Sequence, residues 1–296
     1  MTEATRTWLI TGCSTGFGRE MAMAVLAAGD NVVVTARSLA AVADILDRYP
    51  ETAAGAHLDV TDAEQREAAL AVALNRFGGL DVLVNNAGYG YLAAIEEGDE
   101  DEIRQMFETN FFGALALTKL ALPHFRQRRA GLIINNSSQA GLMGNPGTGY
   151  YSASKFALEG AMEALTRELE PLGIKVVSLQ PGAFRTDWSG RSMRTSGTRI
   201  ADYAGHVGAR IDMISQIDGQ QPGDPKRVGP LVVELSRMAQ PPEKLLLGAG
   251  LYSTYEAKLV QRLEDMRAWR EVTESVDFPT DATPHQTQDK DGAPHE

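Results

Sequence analysis

The feature that most restricts the fold of this chain is the regular alternation of short apolar runs with longer amphipathic segments. Five apolar runs are predicted to be buried strands, at residues 8–10, 32–34, 82–84, 132–134 and 176–179. Near-continuous apolar strands are typical of a parallel sheet that is covered on both faces. The segments at 16–28, 39–48, 62–77, 99–128 and 151–170 carry apolar residues at three- and four-residue spacing, which predicts helices. The repeated β-α-β order predicts an α/β fold, a doubly wound parallel sheet flanked by helices on both faces.

The remaining segments add one edge strand, a lid and a tail. A last apolar run at 245–247 is predicted to be the edge strand. No strand is predicted between 185 and 225, where Gly, Ser, Thr and Arg are frequent. Within that segment Val207, Ile211 and Ile214 recur at helical spacing, which favours a lid with a short amphipathic helix over a disordered loop. Residues 278–296 are polar and predicted to be disordered, so the organisation is one domain, 1–277, followed by a tail.

Charge and cysteine content restrict the partners and the compartment. The 296 residues carry a formal charge of −11, with a pI near 5.0, which argues against nucleic acid or an anionic membrane as a partner. The single cysteine, Cys13, excludes an intramolecular disulfide and fits a reducing compartment. No apolar run approaches the ~18 to 20 residues that span a bilayer. These features predict a cytoplasmic protein.

A glycine-rich turn follows the first predicted strand and begins the first predicted helix. Its glycines are Gly12, Gly16 and Gly18, with the spacing G-x-x-x-G-x-G. Glycines at such a turn let the backbone approach a pyrophosphate, and free N–H groups at the helix N-terminus bind its charge. The spacing differs from the G-x-G-x-x-G fingerprint, so a simple tight turn is the alternative. The position directly after the first strand favours a nucleotide-binding turn. Cys13 is expected to pack beneath the phosphate, with a role as a redox sensor as the alternative.

The residue after the second predicted strand indicates which dinucleotide this turn would bind. Folds specific for NAD usually place Asp or Glu here to accept hydrogen bonds from the ribose 2′-hydroxyl. This chain has Ala36 followed by Arg37, whose guanidinium suits bidentate contact with a 2′-phosphate. The alternative is a solvated arginine in a loop. We therefore expect NADP(H) rather than NAD(H).

Tyr151 and Lys155 are predicted to lie on one face of a helix, because four residues make about one turn. An ammonium beside a phenol favours the phenolate, so Lys155 is expected to lower the pKa of Tyr151 toward working pH, as a general acid requires. Ser138 ends a predicted strand upstream and would deliver its hydroxyl to the same place. Tyr150 is a weaker candidate, because Lys155 lies five residues from it on another face. Each residue alone fits core packing or a solvated surface, but the set together with the phosphate turn favours catalysis.

In this order along the chain, the motifs resemble the short-chain dehydrogenase/reductase family. They are the glycine turn, Asn85-Asn86-Ala87-Gly88, Asn110, Ser138, Tyr151-x-x-x-Lys155 and Pro181-Gly182. The resemblance is close over roughly residues 5–190 and implies a Rossmann-type, single-domain NAD(P)-dependent oxidoreductase. Jointly the motifs are specific, although each alone is weak.

The resemblance also implies a role for each matching residue. The implied catalytic residues are Tyr151 as acid/base, Lys155 as its partner and ribose ligand, Ser138 as the hydroxyl that polarises the carbonyl, and Asn110, which holds a helix kink and a water in the proton relay. The implied cofactor-binding residues are Gly12, Ser14, Thr15, Gly16, Phe17, Gly18, Arg37, Asp59, Val60, Asn86, Ala87, Gly88, Tyr151, Lys155, Pro181, Gly182, Phe184 and Thr186. Some NADP-dependent members have a second basic residue where this chain has Thr15, which leaves Arg37 to carry that preference.

The function expected from these residues is the NADP(H)-dependent interconversion of a ketone or aldehyde and its alcohol. A non-catalytic NADPH sensor or scaffold is the alternative, although such a chain would more typically lack the tyrosine or the lysine. An enoyl reductase is less favoured, because it expects a longer interval between these two residues. Ser138, Tyr91, Met143 and Trp188 are predicted to contact a small-molecule carbonyl or alcohol substrate.

Metal binding and assembly complete the predictions. The acidic run at 96–102 precedes a predicted helix, where negative charge is favourable without a metal, and the histidines lack metal-ligand spacing. No metal site is therefore predicted. The family resemblance implies a homodimer or homotetramer formed through the helices near 99–128 and 151–170.

Overall fold

A computed structural model describes residues 4–188, 190 and 192–278 of the chain. The chain divides into two compact units, Met1–Tyr252 and Ser253–Glu296. The predicted disordered tail lies outside the described residues except for Phe278. None of the helices in the described part of the chain is long and apolar enough to cross a bilayer.

Seven parallel strands form the central sheet of the first unit, in the order β3-β2-β1-β4-β6-β7-β9. Their bounds are Thr7–Ile10 (β1), Asn31–Ala36 (β2), Ala53–His57 (β3), Val82–Asn85 (β4), Gly131–Asn136 (β6), Ile174–Pro181 (β7) and Lys244–Leu247 (β9). A second, two-stranded parallel sheet pairs β5 (Gly90–Leu92) with β8 (Met193–Thr195). The predicted doubly wound parallel sheet and its edge strand β9 are confirmed.

Ten α-helices connect or follow these strands in the described residues. They are Gly16–Ala27 (α1), Ala43–Arg48 (α2), Ala63–Phe77 (α3), Glu100–Phe107 (α4), Ala114–Arg128 (α5), Gly149–Leu169 (α6), Ala209–Gln216 (α7), Val228–Arg237 (α8), Ala249–Ala268 (α9) and Arg270–Glu274 (α10). Single turns of 3-10 helix lie at Leu39–Val42, Ile95–Glu97, Gln139–Gly141, Glu170–Leu172, Ala201–Tyr203 and Pro225–Arg227. Turns of π-helix lie at Glu108–Gly113 and Ala204–Gly208.

The core lies on both faces of the central sheet, because successive strand residues point to opposite sides. Trp8 and Ile10 of β1 pack in the cluster that contains residues of α1 and α8, while Leu9 packs in the cluster with residues of α3, α5 and α6. The chain fills one half of the sheet through β3 and the other half from β4 onward. The order therefore reverses between β1 and β4, and open α/β sheets bind ligands beside the carboxyl ends of the strands at such a point.

Three sequence predictions differ from the structure. Strand β3 was not predicted, because its sequence, Ala-Ala-Gly-Ala-His, has no β-branched or aromatic residue. The helix predicted at 99–128 is interrupted by the π-helical turn Glu108–Gly113. The lid segment, predicted without a strand, contains β8, which the backbone of β5 holds in place.

Candidate active site

A cavity of about 650 Å³ opens at the carboxyl ends of the central strands, and most of the predicted site residues line it. The predicted cofactor-binding residues that line it are Gly12, Ser14, Thr15, Gly16, Phe17, Arg37, Asp59, Val60, Asn86, Ala87, Gly88, Tyr151, Pro181, Gly182, Phe184 and Thr186. Ser138 and Trp188 line the same cavity. Gly18 and Lys155 are not part of its wall, and each supports it from behind.

The glycine turn between β1 and α1 has the shape and polarity of an anion-binding site. Gly12 and Gly16 have positive φ values of 70° and 56°, which favour glycine. A Cβ added at Gly18 would lie 2.2 Å from the carbonyl oxygen of Gly12, so only glycine lets helix α1 begin this close to the turn. Thr15, the N-cap residue of α1, makes no side-chain cap, and the first turn carries no acidic residue. The first N–H groups of α1 thus fit a dinucleotide pyrophosphate.

Hydrogen bonds between the ends of β1 and β4 hold this turn in place. Thr11 Oγ1 accepts from the backbone N–H groups of Asn86 and Ala87, at 2.8 and 2.9 Å. In return, Asn86 Nδ2 donates to the carbonyl oxygens of Thr11 and Gly12, at 2.8 and 3.2 Å. Asn136, at the end of β6, donates to Asn86 Oδ1 at 3.0 Å. Asn86 therefore fixes the floor of the cavity as well as lining it.

Arg37 and Asp59 line the cavity at the ends of β2 and β3. Arg37 is exposed, and its side chain makes no hydrogen bond or ion pair with any residue that the structure describes. Asp59 Oδ1 accepts from the backbone N–H and the hydroxyl of Thr61, at 3.0 and 2.7 Å. Partial burial raises the pKa of Asp59, but these hydrogen bonds outweigh that effect and leave the pKa below its usual value. This part of the cavity presents an unpaired guanidinium beside a carboxylate that is already hydrogen bonded.

Tyr151 and Ser138 bring the two predicted reactive hydroxyls to one wall of the cavity. Tyr151 lies in the first turn of α6, and Ser138 follows β6 and accepts from the backbone N–H of Ala140 at 3.1 Å. The Trp188 ring packs against Tyr151, with the ring centroids 5.4 Å apart. Tyr150 faces elsewhere, because its hydroxyl donates to the carbonyl oxygen of Ile95 at 2.5 Å. The structure therefore selects Tyr151 over its neighbour.

The expected effect of Lys155 on the pKa of Tyr151 is wrong in this structure. Both side chains are buried, with 4% of Lys155 and 5% of Tyr151 exposed. Burial raises the pKa of Tyr151 to about 12, and interactions with the Ser138 and Trp188 side chains only partly oppose it. Burial also lowers the pKa of Lys155 to about 8, which the charge of Glu159 partly opposes. The ammonium lies over the ring, 5.9 Å from its centroid, and Nζ donates to the carbonyl oxygen of Asn136 at 2.8 Å.

Asn110 lies behind the cavity wall, in the π-helical turn between α4 and α5. Its Oδ1 accepts from the backbone N–H of Tyr89 at 3.0 Å, and its Nδ2 donates to the Tyr89 carbonyl at 2.9 Å and to Ser154 Oγ at 3.2 Å. A Cβ added at Gly88 would lie 2.9 Å from Asn110 Oδ1. Asn110 thus ties the irregular turn to the loop after β4 and to α6, which agrees with the implied role in a helix kink.

Two residues predicted to contact substrate lie elsewhere. Tyr91 is 1% exposed, belongs to a core cluster, and accepts from the backbone N–H of Asp99 at 2.9 Å. Its hydroxyl is thus already used inside the protein. Met143 is buried and does not line the cavity. The prediction that Tyr91 and Met143 contact substrate is therefore not supported.

The lid segment contributes a wall of the cavity that sequence analysis predicted only in part. Val207, Ile211 and Ile214 pack against Leu92 and Ala94, as the helical spacing indicated. The cavity-facing residues from this segment that sequence analysis missed are Asp187, Ser192, Arg194, Arg210, Met213, Ile217 and Gln221. No spacing rule identifies them, because the apolar stripe defines the packed face of α7 and leaves the neighbouring face undetermined. Asn136 was also missed, although it directly follows an apolar strand close to Ser138.

Three known proteins and one protein-family model are similar to this chain. The family model described as short chain dehydrogenase matches residues 6–196. The oxidoreductase BOA17 of Botryotinia fuckeliana (strain B05.10) is 34% identical over 272 residues, which are 91% of this chain and 98% of that protein. The crystal structure of a short-chain dehydrogenase from Streptomyces avermitilis has a TM-score of 0.87 at 38% identity, covering 93% of this chain and all (100%) of that chain. An alcohol dehydrogenase from the archaeon Thermococcus sibiricus, complexed with 5-hydroxy-NADP, has a TM-score of 0.68 at 26% identity, covering 82% of this chain and 96% of that chain.

Proposed function

The chain belongs to the short-chain dehydrogenase/reductase family, and we propose that it interconverts a ketone or aldehyde and its alcohol with NADP(H). The observation that carries the proposal is one continuous cavity with the glycine turn, Arg37, Ser138 and Tyr151 in its wall. A dinucleotide whose pyrophosphate binds at the N-terminus of α1 would lie in the same cavity as the Tyr151 hydroxyl, the proposed proton donor. The Thermococcus sibiricus alcohol dehydrogenase, complexed with an NADP derivative, supports the same cofactor and reaction class.

The proposed reaction uses Tyr151 as the proton donor. The cofactor supplies the hydride in reduction. The hydroxyls of Ser138 and Tyr151 donate hydrogen bonds to the carbonyl oxygen and stabilise the negative charge that develops on it. Because the pKa of Tyr151 is about 12, the phenol carries its proton at neutral pH and gives it to that oxygen. In the oxidative direction the phenolate takes the proton back from the alcohol.

Lys155 and the residues around it hold the site together. Lys155 Nζ donates to the Asn136 carbonyl, and Asn136 in turn binds Asn86 below the glycine turn. The amine thus connects helix α6, which carries Tyr151, to the floor of the cavity. The remaining hydrogens of the amine would bind the ribose of the dinucleotide, and Pro181, Gly182 and Thr186 would line the nicotinamide side.

Replacing Tyr151 by phenylalanine tests the proton-transfer step. We expect Tyr151→Phe to reduce kcat by about 100- to 10,000-fold on any carbonyl substrate, because general acid catalysis is lost. The dissociation constant for NADPH should stay within a factor of about two. Tyr150→Phe is the matched control and should keep its activity, because the Tyr150 hydroxyl binds Ile95 instead of facing the cavity. Equal activity of Tyr151→Phe and wild type would contradict the assignment.

Replacing Arg37 tests the cofactor preference separately. We expect Arg37→Asp to raise the KM for NADPH by about 10- to 100-fold, because a bidentate charged contact is replaced by a repulsive one, while the KM for NADH stays constant or falls. Arg126→Asp, which changes an exposed arginine outside the cavity, should leave both values unchanged. An unchanged NADPH preference in Arg37→Asp would refute the role of Arg37 without affecting that of Tyr151.

Binding without turnover would favour the sensor over the enzyme. We would titrate NADPH and then screen aliphatic, aromatic and alicyclic carbonyl compounds. Saturable NADPH binding with no turnover of any carbonyl compound would support the non-catalytic alternative. Turnover that Tyr151→Phe abolishes would exclude it.

We also propose a homodimer or homotetramer formed through helices α4 to α6. Phe112, in the π-helical turn, and Phe156, on α6, are 50% and 45% exposed, so both large apolar side chains are available for burial against a second copy of the chain. Light scattering after gel filtration of Phe112→Glu and Phe156→Glu tests this assembly, and unchanged mass for both variants would contradict it. The cytoplasmic location stays a prediction from the amino-acid composition.

A further inference from the structure

Arg210 stands out among the charged residues that line the active-site cavity. It lies on the lid helix α7, is half-buried, and faces the same cavity as Ser138 and Tyr151. Its Nε atom is buried without a hydrogen-bond partner. Nor does any part of its guanidinium make a hydrogen bond or an ion pair with a residue that the structure describes. Burying part of a charged group without a partner is unfavourable, so this arginine needs an explanation.

The other lid arginine that lines the cavity is already paired. Arg194 Nη1 donates to Glu102 at 2.6 Å and to Gln105 at 2.7 Å, and its guanidinium stacks over the Tyr89 ring at 4.6 Å. Among the described residues, Arg194 therefore has acceptors and Arg210 has none. Of the described residues in the wall, Arg37 is a second cation without a partner, and it follows β2, where the adenosine side of the cofactor is proposed to bind.

Helix α7, which carries Arg210, packs closely on the elements next to it. Ile211 and Ile214 are buried against Leu92 and Ala94. A Cβ added at Gly147 would lie 3.0 Å from Ile211 Cγ1, so α7 also packs closely on the loop that precedes Tyr151. Arg210 is therefore presented to the cavity by a packed helix.

Apolar side chains share the cavity wall with this cation. Met213, Ile214 and Ile217 follow Arg210 at helical spacing and line the same cavity, and Trp188, which packs against the cluster that contains Ile214, lines it too. A ligand that fits both features has an apolar body and one acidic group. A planar guanidinium binds a carboxylate through two parallel hydrogen bonds, and partial burial strengthens such a pair.

We propose that Arg210 binds a carboxylate on the carbonyl substrate, so that the enzyme acts on oxo acids with an apolar chain or ring. The proposal rests on the proposed function, because it concerns the substrate of the same site. Met213, Ile214 and Ile217 contact the apolar part of the substrate, while Ser138 and Tyr151 bind the carbonyl oxygen. Arg210 thus selects the substrate and takes no part in proton transfer.

Matched pairs of substrates test the proposal directly. The substrates are ω-oxo carboxylic acids of increasing chain length and 4-carboxybenzaldehyde, each measured with NADPH beside its methyl ester. For wild type we expect kcat/KM for at least one acid to exceed that for its ester by about 10- to 100-fold, the effect of one charged bidentate contact. Arg210→Met should remove this preference by lowering the acid value alone, and Arg210→Lys should keep part of it. Arg227→Met, which changes an exposed arginine outside the cavity, is the control and should behave like wild type.

The outcomes separate this proposal from the proposed function. One outcome is that the esters are turned over, that this turnover requires Tyr151, and that the acid-to-ester ratio of kcat/KM is the same in wild type and Arg210→Met. That outcome would overturn the substrate proposal and leave the proposed reductase activity standing. Weaker NADPH binding by Arg210→Met with an unchanged ratio would assign the guanidinium to the cofactor and also overturn it. If no carbonyl compound is turned over, quenching of tryptophan fluorescence by the acids decides the question. Equal affinity of wild type and Arg210→Met for the acids would then refute the carboxylate site.

Discussion

Replacing Lys155 by methionine removes a buried amine, and we expect the protein to become more stable at neutral pH while it loses activity. Lys155 is 4% exposed, and burial lowers its pKa from 10.5 to about 8. At roughly 1.4 kcal/mol for each pKa unit, this difference corresponds to about 3 kcal/mol of destabilisation when the lysine is charged. Methionine has a similar length and carries no charge, so it avoids that unfavourable burial.

The sign of the effect depends on pH. The unfolded chain binds this proton more tightly than the folded chain does, so the destabilisation is complete below about pH 8, decreases between about pH 8 and 10.5, and is absent above that window. Methionine also loses the 2.8 Å hydrogen bond to the Asn136 carbonyl, which costs about 1 kcal/mol at every pH. We therefore expect Lys155→Met to be about 2 kcal/mol more stable than wild type at pH 7 and about 1 kcal/mol less stable above about pH 10.5.

Tyr151 affects both proteins equally and does not change this difference. Its pKa rises from 10.0 to about 12 on folding, so the folded chain holds the phenolic proton more tightly. That contribution to stability is complete below about pH 10 and is lost as the pH rises toward 12. Burial likewise raises the pKa of the Cys13 thiol from 9.0 to about 12, so a further contribution to stability is lost as the pH rises above about 9, equally in both proteins. The absolute stability of wild type should thus increase between about pH 8 and 9 and decrease above about pH 10.

Urea unfolding measured from neutral pH to about pH 11 checks these values. Lys119→Met, which changes an exposed lysine on α5, is the matched control and should show no pH-dependent difference from wild type. Lys155→Met should lose most of its turnover, because the ligand proposed for the ribose is gone. A variant that is less stable than wild type at pH 7, or a stability difference that is constant with pH, would refute the reasoning.

Two further substitutions test the supports of the site. Gly18→Ala should destabilise the protein by about 1 to 3 kcal/mol and weaken NADPH binding, because the new Cβ meets the Gly12 carbonyl at 2.2 Å. Gly160→Ala, inside α6 with nothing within 4 Å of the new Cβ, should instead stabilise it by about 0.5 to 1 kcal/mol, and equal urea midpoints for the two variants would contradict the steric argument. Asn110→Ala should lower the free energy of unfolding by about 2 to 4 kcal/mol and reduce kcat, because the backbone N–H and C=O groups of Tyr89 lose their partners. Urea unfolding and turnover assays should show both losses. A variant as stable as wild type would exclude this role of Asn110.

The central strands could be predicted from the sequence because their burial is visible in their own residues. Val32–Val34 and Ile133–Ile134 are apolar at every position, as a strand covered on both faces requires. Strand β3 has no such signal. Its Gly55 lies beneath a leucine side chain, where a Cβ would come within 2.9 Å of Leu46 Cδ1, so small residues there are a consequence of helix packing. A small strand that a neighbouring helix covers closely cannot be distinguished from a loop by its own sequence.

The break in the long predicted helix was hidden for a related reason. A π-helical turn inserts one residue into a helix, and an apolar pattern with three- and four-residue steps absorbs this insertion without a visible fault. The residue that marks the π-helical turn is Asn110, a polar residue that is 1% exposed and forms hydrogen bonds with backbone groups of another segment. Those partners come from the loop after β4, so the reason for the turn lies outside the helix.

Spacing along α6 determined which residues share a face but could not determine their electrostatics. Four residues place Tyr151 and Lys155 one turn apart in any helix. Whether water contacts these two side chains depends on Trp188, Ser138 and Asn136, which contact them from other parts of the chain. Because those contacts exclude water, burial dominates both pKa values and moves each residue toward its neutral form. The phenol therefore keeps the proton that the proposed carbonyl reduction requires, and the same burial makes the lysine a source of instability at neutral pH. Lys155 thus supports the proposed activity and lowers the stability of the fold. Selection for activity, rather than for stability, would keep such a residue.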